Sequence, residues 1–160
     1  MDDTRWLDDD ERAAWLSLIG VTLLLPTALD AQLQRDTGVT HFDYLVLAML
    51  SESGDRTLTM SELATRASSS LSRLSHVVAK LEKRGWIERR PSPRDGRTTI
   101  AVLTDDGMAA IVGAAPRHVD RVRTLVFDAL TPTEVRQLAA IGTKVLTRLD
   151  PQQRCGPARP

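Results

Sequence analysis

One stretch of the chain, residues 59 to 103, constrains the fold more than any other. It opens with Thr59-Met60-Ser61-Glu62, a capping box in which the threonine and the glutamate bond each other's backbone N–H groups at the start of a helix. A tight turn, a second helix with one basic face and two strands around an Arg-Asp-Gly-Arg tip follow. This order predicts a winged helix-turn-helix.

A long apolar helix is predicted before this stretch. It begins at the acidic run Asp8-Asp9-Asp10-Glu11 and ends at Thr37-Gly38, and Pro26 within it predicts a kink. Apolar residues cover nearly every face of the helix. We therefore expect it to be buried all round.

Two further long helices are predicted after the hairpin. Thr104 caps the first, which we expect to be interrupted or bent near Pro116, and Thr131 caps the second, which stops at Asp150. A seam suited to packing against another helix runs along the first: Val112, Ala115, Val119, Val122 and Val126. The apolar surface exceeds what a small winged lobe could cover, which favours a homodimer over a monomer whose long helices pack only on each other.

The predicted fold class is mainly α with a small β wing. We expect a single domain over residues 1–160, with long dimerisation helices at 8–38 and 104–150, a winged helix-turn-helix lobe at 39–103 and a flexible tail at 151–160. Within the lobe, a helix that starts at Thr40 and ends near Ser53, and a short strand at 56–58, precede the capping box.

Charge is divided unevenly along the chain, although the formal total is zero. Residues 1–55 hold three arginines against eleven acids, residues 56–100 hold ten basic residues against four acids, and residues 101–160 hold eight against six. The positive charge is thus concentrated on the segment predicted to form the helix-turn-helix and wing. This distribution favours double-stranded DNA as the partner.

The second lobe helix has two distinct sides. A helical spacing of 100° per residue places one set in the core: Leu71, Leu74, Val77, Val78 and Leu81. The opposite face and the turn before it carry the residues predicted to contact DNA: Ser69, Ser70, Ser72, Arg73, His76 and Lys80. Arg73 can bind guanine through two hydrogen bonds, and His76 can bond a base edge or a phosphate. The alternative is an ordinary solvated face, but such faces mix charge signs, and here only Glu82 interrupts the basic series.

The hairpin tip offers a second DNA contact. Arg94 and Arg97 flank Asp95, and a tip of this length can reach the adjacent minor groove. Since Asp95 cannot favour phosphate, we expect it to orient an arginine by a bidentate pair. The alternative is an Asp-Gly turn with incidental arginines.

These residues match a known pattern. The segment from Leu63 to Gly85, the following Trp86-Ile-Glu-Arg-Arg-Pro, Asp95-Gly-Arg97 and Leu103-Thr-Asp-Asp-Gly107 together resemble the MarR family of bacterial transcription regulators, and the resemblance extends to about Leu149. It implies a homodimer with interlocking first, fifth and sixth helices, two winged lobes on a pseudo-palindrome, and Arg97 in the minor groove. It also implies a pocket for a small aromatic, often phenolic, effector.

Evidence for a ligand or for chemistry in the sequence itself is weaker. Four residues could line a mixed apolar and polar cleft: Trp15, Ile19, His41 and Tyr44. Core and dimer packing explains them equally well, and no Arg or Lys accompanies them to pair with an anionic ligand. No catalytic residues, metal site or cofactor are expected, because the histidines fall on separate elements without a nucleophile motif or a Cys/His cluster.

Cys155, the single cysteine, is expected to be a bystander thiol in a reducing cytoplasm. No signal peptide or membrane span is expected, because the uncharged stretch 13–29 is shorter and more polar than a span requires. The favoured function is a sequence-specific transcriptional repressor released by a small ligand. The alternatives are an architectural nucleoid protein that binds mainly the DNA backbone, and an enzyme on a winged-helix scaffold, which would need a convergent titratable cluster.

Overall fold

The computed structural model describes residues 4–152, 154 and 155, so residues 153 and 156–160 of the predicted tail lie outside the described residues. The elements in chain order are α1 (Asp9–Thr37), α2 (His41–Ser51), β1 (Thr57–Thr59), α3 (Met60–Arg66), α4 (Leu71–Lys83), β2 (Ile87–Pro91), β3 (Thr99–Leu103), α5 (Asp105–Leu125), a short 3-10 turn (Phe127–Ala129) and α6 (Pro132–Leu149). They confirm the mainly α fold class with a small β wing.

The helices begin at the predicted capping residues. Complete capping boxes start four of them, at Asp8, Thr40, Thr59 and Thr131. The Thr104 hydroxyl accepts the Gly107 N–H at the start of α5. Each cap satisfies backbone donors that the helix cannot, which stabilises its start by about 1 kcal/mol. Helix α1 ends at Gly38, whose φ of 68° is left-handed and suits glycine.

The three strands form one antiparallel sheet in the order β1-β3-β2. Leu58 pairs with Ala101, and Ile87 pairs with Leu103. All four are buried, so this side of the sheet packs on the lobe helices α2, α3 and α4. The lobe at 39–103 therefore has a hydrophobic core of its own, centred on the fully buried leucines of α2, α3 and α4: Leu47, Leu50, Leu63, Leu74 and Leu81.

The helices outside the lobe leave most of their apolar side chains exposed. Only Leu29, Gln32 and Leu33 of α1 are buried, all near its C-terminal end, where it packs on α2 and α5. No residue of α6 is buried, although the structure describes that helix in full. The expectation that α1 is buried all round is therefore wrong for a single chain, which has no element to cover the rest of the helix.

Helix α5 runs through Pro116 without the interruption that was one of the two expectations there, and a bend at Pro116 stays a prediction. The expectation that the chain holds no segment able to span a membrane needs correction. By length and composition alone α1 could cross a membrane, because the helix extends beyond the uncharged stretch 13–29 at both ends. The exposed apolar surface of α1 therefore needs a partner that covers it. The other helices of the molecule indicate which partner that is.

Candidate nucleic-acid interface

A rigid turn positions the start of α4. Ser68 adopts a left-handed φ of 45°, and the Ser69 N–H donates to the Ala64 carbonyl at 2.9 Å, which reverses the chain after α3. Ser70 then caps α4, since its hydroxyl accepts the Arg73 N–H at 3.2 Å. The α4 N-terminus is thus fixed against α3, as a helix-turn-helix requires.

Burial of one side of α4 turns the opposite side outward. Leu74, Val78 and Leu81 are fully buried, and Val77 is half-buried. Ser72, Arg73 and His76 are exposed on the other side, and Ser69 is half-buried in the turn. Leu71, expected in the core with the other leucines, is instead 52% exposed. Leu71 is the first residue of the helix, and the hydrophobic core of the lobe does not reach this N-terminal end of α4.

Arg73 is held in place by an aromatic ring. Its guanidinium lies over the Phe42 ring of α2, with Cζ 4.3 Å from the ring centroid. A guanidinium stacked by its face keeps its N–H donors free along its edge. Arg73 can therefore still make the bidentate contact expected of it.

Lys80 makes an ion pair that the sequence did not predict. Its ammonium Nζ lies 2.5 Å from Oδ2 of Asp43, a buried carboxylate of α2. The same Asp43 oxygen accepts the Thr40 N–H of the α2 capping box at 2.8 Å. Lys80 therefore compensates the buried charge of Asp43 and ties α4 to α2, while its own side chain is 44% exposed at the lobe surface.

The wing tip places two arginines in solvent. Arg94 and Arg97 are exposed, and the structure describes the whole hairpin. Asp95 does not form the expected bidentate pair with either guanidinium. Its carboxylate accepts the Arg97 backbone N–H at 3.0 Å and the Thr98 hydroxyl at 3.0 Å. A short side chain bonds its own loop more readily than a distant guanidinium, so Asp95 shapes the tip through the backbone.

The wing is fastened at its base to α4 and α5. Glu82 of α4 accepts the backbone N–H and the guanidinium of Arg89 in β2, and the latter bond lowers the pKa of the Glu82 carboxyl. The Thr104 hydroxyl donates to the Gly85 carbonyl at 2.7 Å. Gly107 packs so closely on the Trp86 carbonyl that a Cβ there would overlap it. Within the Leu-Thr-x-x-Gly segment at 103–107, Thr104 and Gly107 therefore hold the base of the wing against the start of α5.

The ion pairs found among the described residues reduce the number of unpaired basic residues on the lobe surface. They engage four basic residues of the lobe: Arg56, Lys80, Arg89 and Arg90. Arg84 binds the Gly38 carbonyl and stacks on Trp86. Four further basic residues are exposed and take part in none of these ion pairs: Arg73 and Lys83 on α4, and Arg94 and Arg97 on the wing. Both α4 and the wing therefore carry exposed positive charge.

The four residues proposed for a ligand cleft do not come together. His41 N–H donates to Asp30 of α1 at 2.8 Å, whereas Trp15 lies fifteen residues, about 22 Å, farther up that helix. Ile19 is about 16 Å away from Asp30 on the same rise per residue. Only His41 and Tyr44 remain as neighbours among the four.

His118 of α5, which was not among the predicted ligand residues, contacts both His41 and Tyr44. Its ring centroid lies 4.4 Å from that of Tyr44 and 6.0 Å from that of His41. Burial lowers the pKa of both imidazoles and raises the pKa of the Tyr44 phenol. Nδ1 of both histidines is buried without a hydrogen-bond partner in the described structure. The docking of α5 on α2 makes this cluster, and helical spacing alone could not reveal it.

A separate apolar groove lies among the long helices. Its volume is about 620 Å³, and its lining includes Val21, Leu24 and Leu25 of α1, Leu125 of α5 and Leu138 of α6. None of the four predicted ligand residues lines it.

In the described part of the chain, no group of three or more His, Cys, Asp or Glu residues could hold a metal ion. Cys155 is exposed, and its backbone N–H bonds the Asp150 carboxylate.

Comparison with known proteins agrees with this geometry. Residues 37–98 match the model of the MarR family. The chain is 33% identical to the transcriptional repressor MprA of Escherichia coli K12 over 119 residues, which cover 74% of this chain and 67% of that protein. The structure of Sco3205, a MarR family transcriptional regulator from Streptomyces coelicolor in complex with DNA, has a TM-score of 0.87 and 46% identity, with 96% of each chain covered.

A second structure from that organism, the MarR family regulator AbsC, superposes with a TM-score of 0.85. Its identity to the chain is 37%, over 93% of this chain and all of the other. The similarity therefore includes the long helices as well as the winged lobe.

Proposed function

Because this chain belongs to the MarR family of DNA-binding transcriptional regulators, we propose that it is a homodimeric repressor that reads a pseudo-palindromic operator. The observation that carries the proposal is the exposed Ser72, Arg73 and His76 face of α4, which is held outward by the buried leucines behind it. The relatives are transcriptional regulators and not enzymes, and repression is inferred from MprA.

Direct reading of bases is assigned to the start of α4. Arg73 donates to guanine in the major groove, with Ser69, Ser70, Ser72 and His76 bonding neighbouring base edges or phosphates. Lys80 is left out of this set because its ammonium is bound to Asp43. Short hydroxyl side chains let the helix approach the groove floor closely, so the guanidinium can reach its base.

The wing contacts the neighbouring minor groove. Arg97 enters the groove, and Arg94 contacts the phosphates at its edge. The loop bonds of Asp95 fix the backbone from which Arg97 projects. A preformed tip loses less conformational entropy on binding than a mobile one, which favours affinity.

The exposed surface of the long helices supports a homodimer. Leu24, Val112, Val119, Ile141 and Leu149 are each more than half exposed, and α6 buries nothing against its own chain. An amphipathic helix of eighteen residues is marginal in water unless its apolar side is packed. A second copy would cover α1, α5 and α6 and would place two α4 helices about 34 Å apart, one turn of DNA. We propose that the dimer acts in the cytoplasm, where its DNA target would lie.

A small aromatic effector is proposed to bind beside His41, Tyr44 and His118. The support is that both imidazole Nδ1 atoms are buried without hydrogen-bond partners in the described structure, as are Gln32 Oε1 of α1 and Arg121 Nε of α5. Arg121 lies three residues from His118, on the same side of α5. Its guanidinium would be the cation that pairs with an anionic ligand. Because α2 belongs to the lobe and α5 to the long helices, an occupant here would change the position of α4.

Selection of bound fragments from a random duplex library tests the proposed function. The recovered operator and a scrambled duplex of the same composition are then titrated at one salt concentration. A specific regulator prefers the operator by at least about 1,000-fold, and sedimentation finds two chains per duplex. Equal affinity for the two duplexes would instead support the alternative, an architectural protein that binds the DNA backbone.

A further inference from the structure

Three basic residues lie along one side of α4 and contact the same short segment of the chain. Arg73 and Lys80 belong to the helix, and Arg84 caps its C-terminus. They are seven and four residues apart, so a helical spacing of 100° per residue places them on one line. Their partners all lie within residues 38–43, where α1 ends and α2 begins. The contacts join Arg73 to Phe42, Lys80 to Asp43 and Arg84 to Gly38. This segment therefore fixes one side of α4 against α2.

The Arg73 contact differs from the other two in what it leaves free. The Lys80 ammonium binds a carboxylate, and Nη2 of Arg84 donates to a carbonyl at 2.8 Å. The Arg73 guanidinium instead lies over the face of the Phe42 ring, with Cζ 4.3 Å from the ring centroid. A ring face attracts a guanidinium without using its N–H donors, which lie along the edge of the group. Arg73 is therefore held in one place with its donors still available.

The place of Arg73 on α4 explains why its guanidinium needs to be held. Helical spacing puts Arg73 about 60° from the exposed His76 and about 40° from the half-buried Val77, so it lies at the edge of the reading face. A long side chain at this edge can turn toward the bases or away from them. Ordering a flexible side chain when a complex forms reduces affinity. A guanidinium that is already stacked on a ring has part of this ordering complete before DNA binds.

Phe42 is itself well fixed. Its ring is half-buried and packs against the lobe core, and the capping box of Thr40 and Asp43 holds the turn of α2 that carries it. We propose that Phe42 is a positioning residue for base reading: its ring holds the Arg73 guanidinium at the edge of the α4 reading face, with two donors free for guanine. This inference rests on the proposed function, because it requires that Arg73 binds a base.

Removal of the ring should weaken operator binding through Arg73. Phe42→Leu keeps an apolar side chain on the lobe core but removes the ring face. Ordering one flexible side chain at an interface lowers affinity about fivefold, and a dimer that reads two half-sites makes the contact twice. Phe42→Leu should therefore weaken binding to the operator selected from a random library about 25-fold. Binding to a scrambled duplex should change little, because no base contact is lost there.

A double-mutant cycle with Arg73→Ala separates positioning from a structural role of the ring. Wild type, Phe42→Leu, Arg73→Ala and the double variant are titrated against the operator at one salt concentration. If the ring acts through Arg73, adding Phe42→Leu to Arg73→Ala should change affinity by less than about twofold. A ring that only supports the packing of α2 would weaken both backgrounds by the same factor.

Further variants serve as controls. Phe42→Tyr retains the ring face and should bind the operator as wild type does. Trp86→Leu removes the ring from another arginine–aromatic pair of the lobe, in which Cζ of Arg84 lies 4.9 Å from the ring centroid. Its effect should be the same with and without Arg73→Ala, because that ring does not contact Arg73. Circular dichroism checks that each variant is folded, and Phe42→Met, whose flexible side chain adapts to the core, replaces Phe42→Leu if the leucine unfolds the lobe.

Two results separate failure of the inference from failure of the proposed function. In the first, wild type prefers the operator, but Phe42→Leu binds it as wild type does or loses the same factor with and without Arg73→Ala. The positioning role is then wrong, and the proposed function stands. In the second, wild type binds the operator and a scrambled duplex equally, so that the proposed function is wrong and the positioning role is wrong with it.

Discussion

At the scale of single residues, short polar side chains determine where the charged ones can act. Asp95 carries a negative charge beside two exposed arginines, yet its carboxylate bonds the Arg97 N–H and the Thr98 hydroxyl. The Asp95 carboxylate therefore fixes the backbone conformation of the loop from which Arg97 projects. A bidentate pair with an arginine would instead have oriented the guanidinium itself.

This role predicts different results for two substitutions of Asp95. The Oδ1 of asparagine can still accept the Arg97 N–H, and its amide Nδ2 can donate to the Thr98 hydroxyl in place of the carboxylate oxygen, so Asp95→Asn should bind the operator as wild type does or slightly more tightly. Alanine removes both bonds, and Asp95→Ala should bind about fivefold more weakly, the equivalent of roughly 1 kcal/mol for lost hydrogen bonds. Titration of one duplex at fixed salt measures both. Asp106→Ala, which removes an exposed acid of α5, is the control, and tighter binding by Asp95→Ala would contradict the loop role.

At the scale of elements, local signals in the sequence predict where helices begin, and tertiary contacts decide which side chains meet. Capping residues such as Thr59 and Thr131 act within one turn, so their positions could be read directly. Two other features could not be read from the sequence, because each depends on where another element ends or packs. They are the exposure of Leu71 and the bond between Lys80 and Asp43. The contact between His41 and His118 joins helices far apart in sequence.

The histidine contact predicts a pH-dependent stability. Burial, together with the neighbouring imidazole for His118, lowers the pKa of His41 and His118 below the ordinary value of 6.5, and Asp30 opposes the shift at His41. As the pH falls below about 6.5, these two imidazoles bind protons in the unfolded chain but remain neutral in the folded protein. The free energy of unfolding therefore decreases. Their contribution is fully present above that pH and is lost as the pH falls toward the lowered pKa values.

Urea unfolding at about pH 7 and pH 5, at one protein concentration, measures this effect. The double variant His41→Gln/His118→Gln should lose less free energy of unfolding than wild type between the two values. His76→Gln, which removes an exposed histidine of α4 outside the contact, is the matched control. Equal losses in wild type and the double variant would assign the pH dependence to carboxyl groups instead.

At the scale of the whole molecule, one chain leaves a large apolar surface uncovered. The groove among α1, α5 and α6 is lined by Leu24, which is 72% exposed, and Leu138, which is 48% exposed. Length and composition allow α1 to cross a membrane. The proposed dimer would cover this surface with a second copy of the chain instead.

Charged residues in the groove should therefore prevent assembly without unfolding the lobe. Leu24→Asp combined with Leu138→Asp is expected to give a monomer by sedimentation equilibrium, because a carboxylate cannot be buried there without a partner. The far-ultraviolet circular dichroism of the lobe helices should persist. Losing the coupling between half-sites should lower operator affinity at least about 100-fold. A wild type that remains monomeric at micromolar concentration would overturn the dimer.

The most direct test of sequence-specific reading compares two cations on one helix. Arg73 lies at the start of α4 and Lys83 at its end, and both are exposed. We expect Arg73→Ala to weaken operator binding by about 1–3 kcal/mol, with little effect on a scrambled duplex, while Lys83→Ala weakens both duplexes alike. Titrations of both variants across a salt series give these values. Equal losses on the two duplexes for Arg73→Ala would contradict base reading by α4.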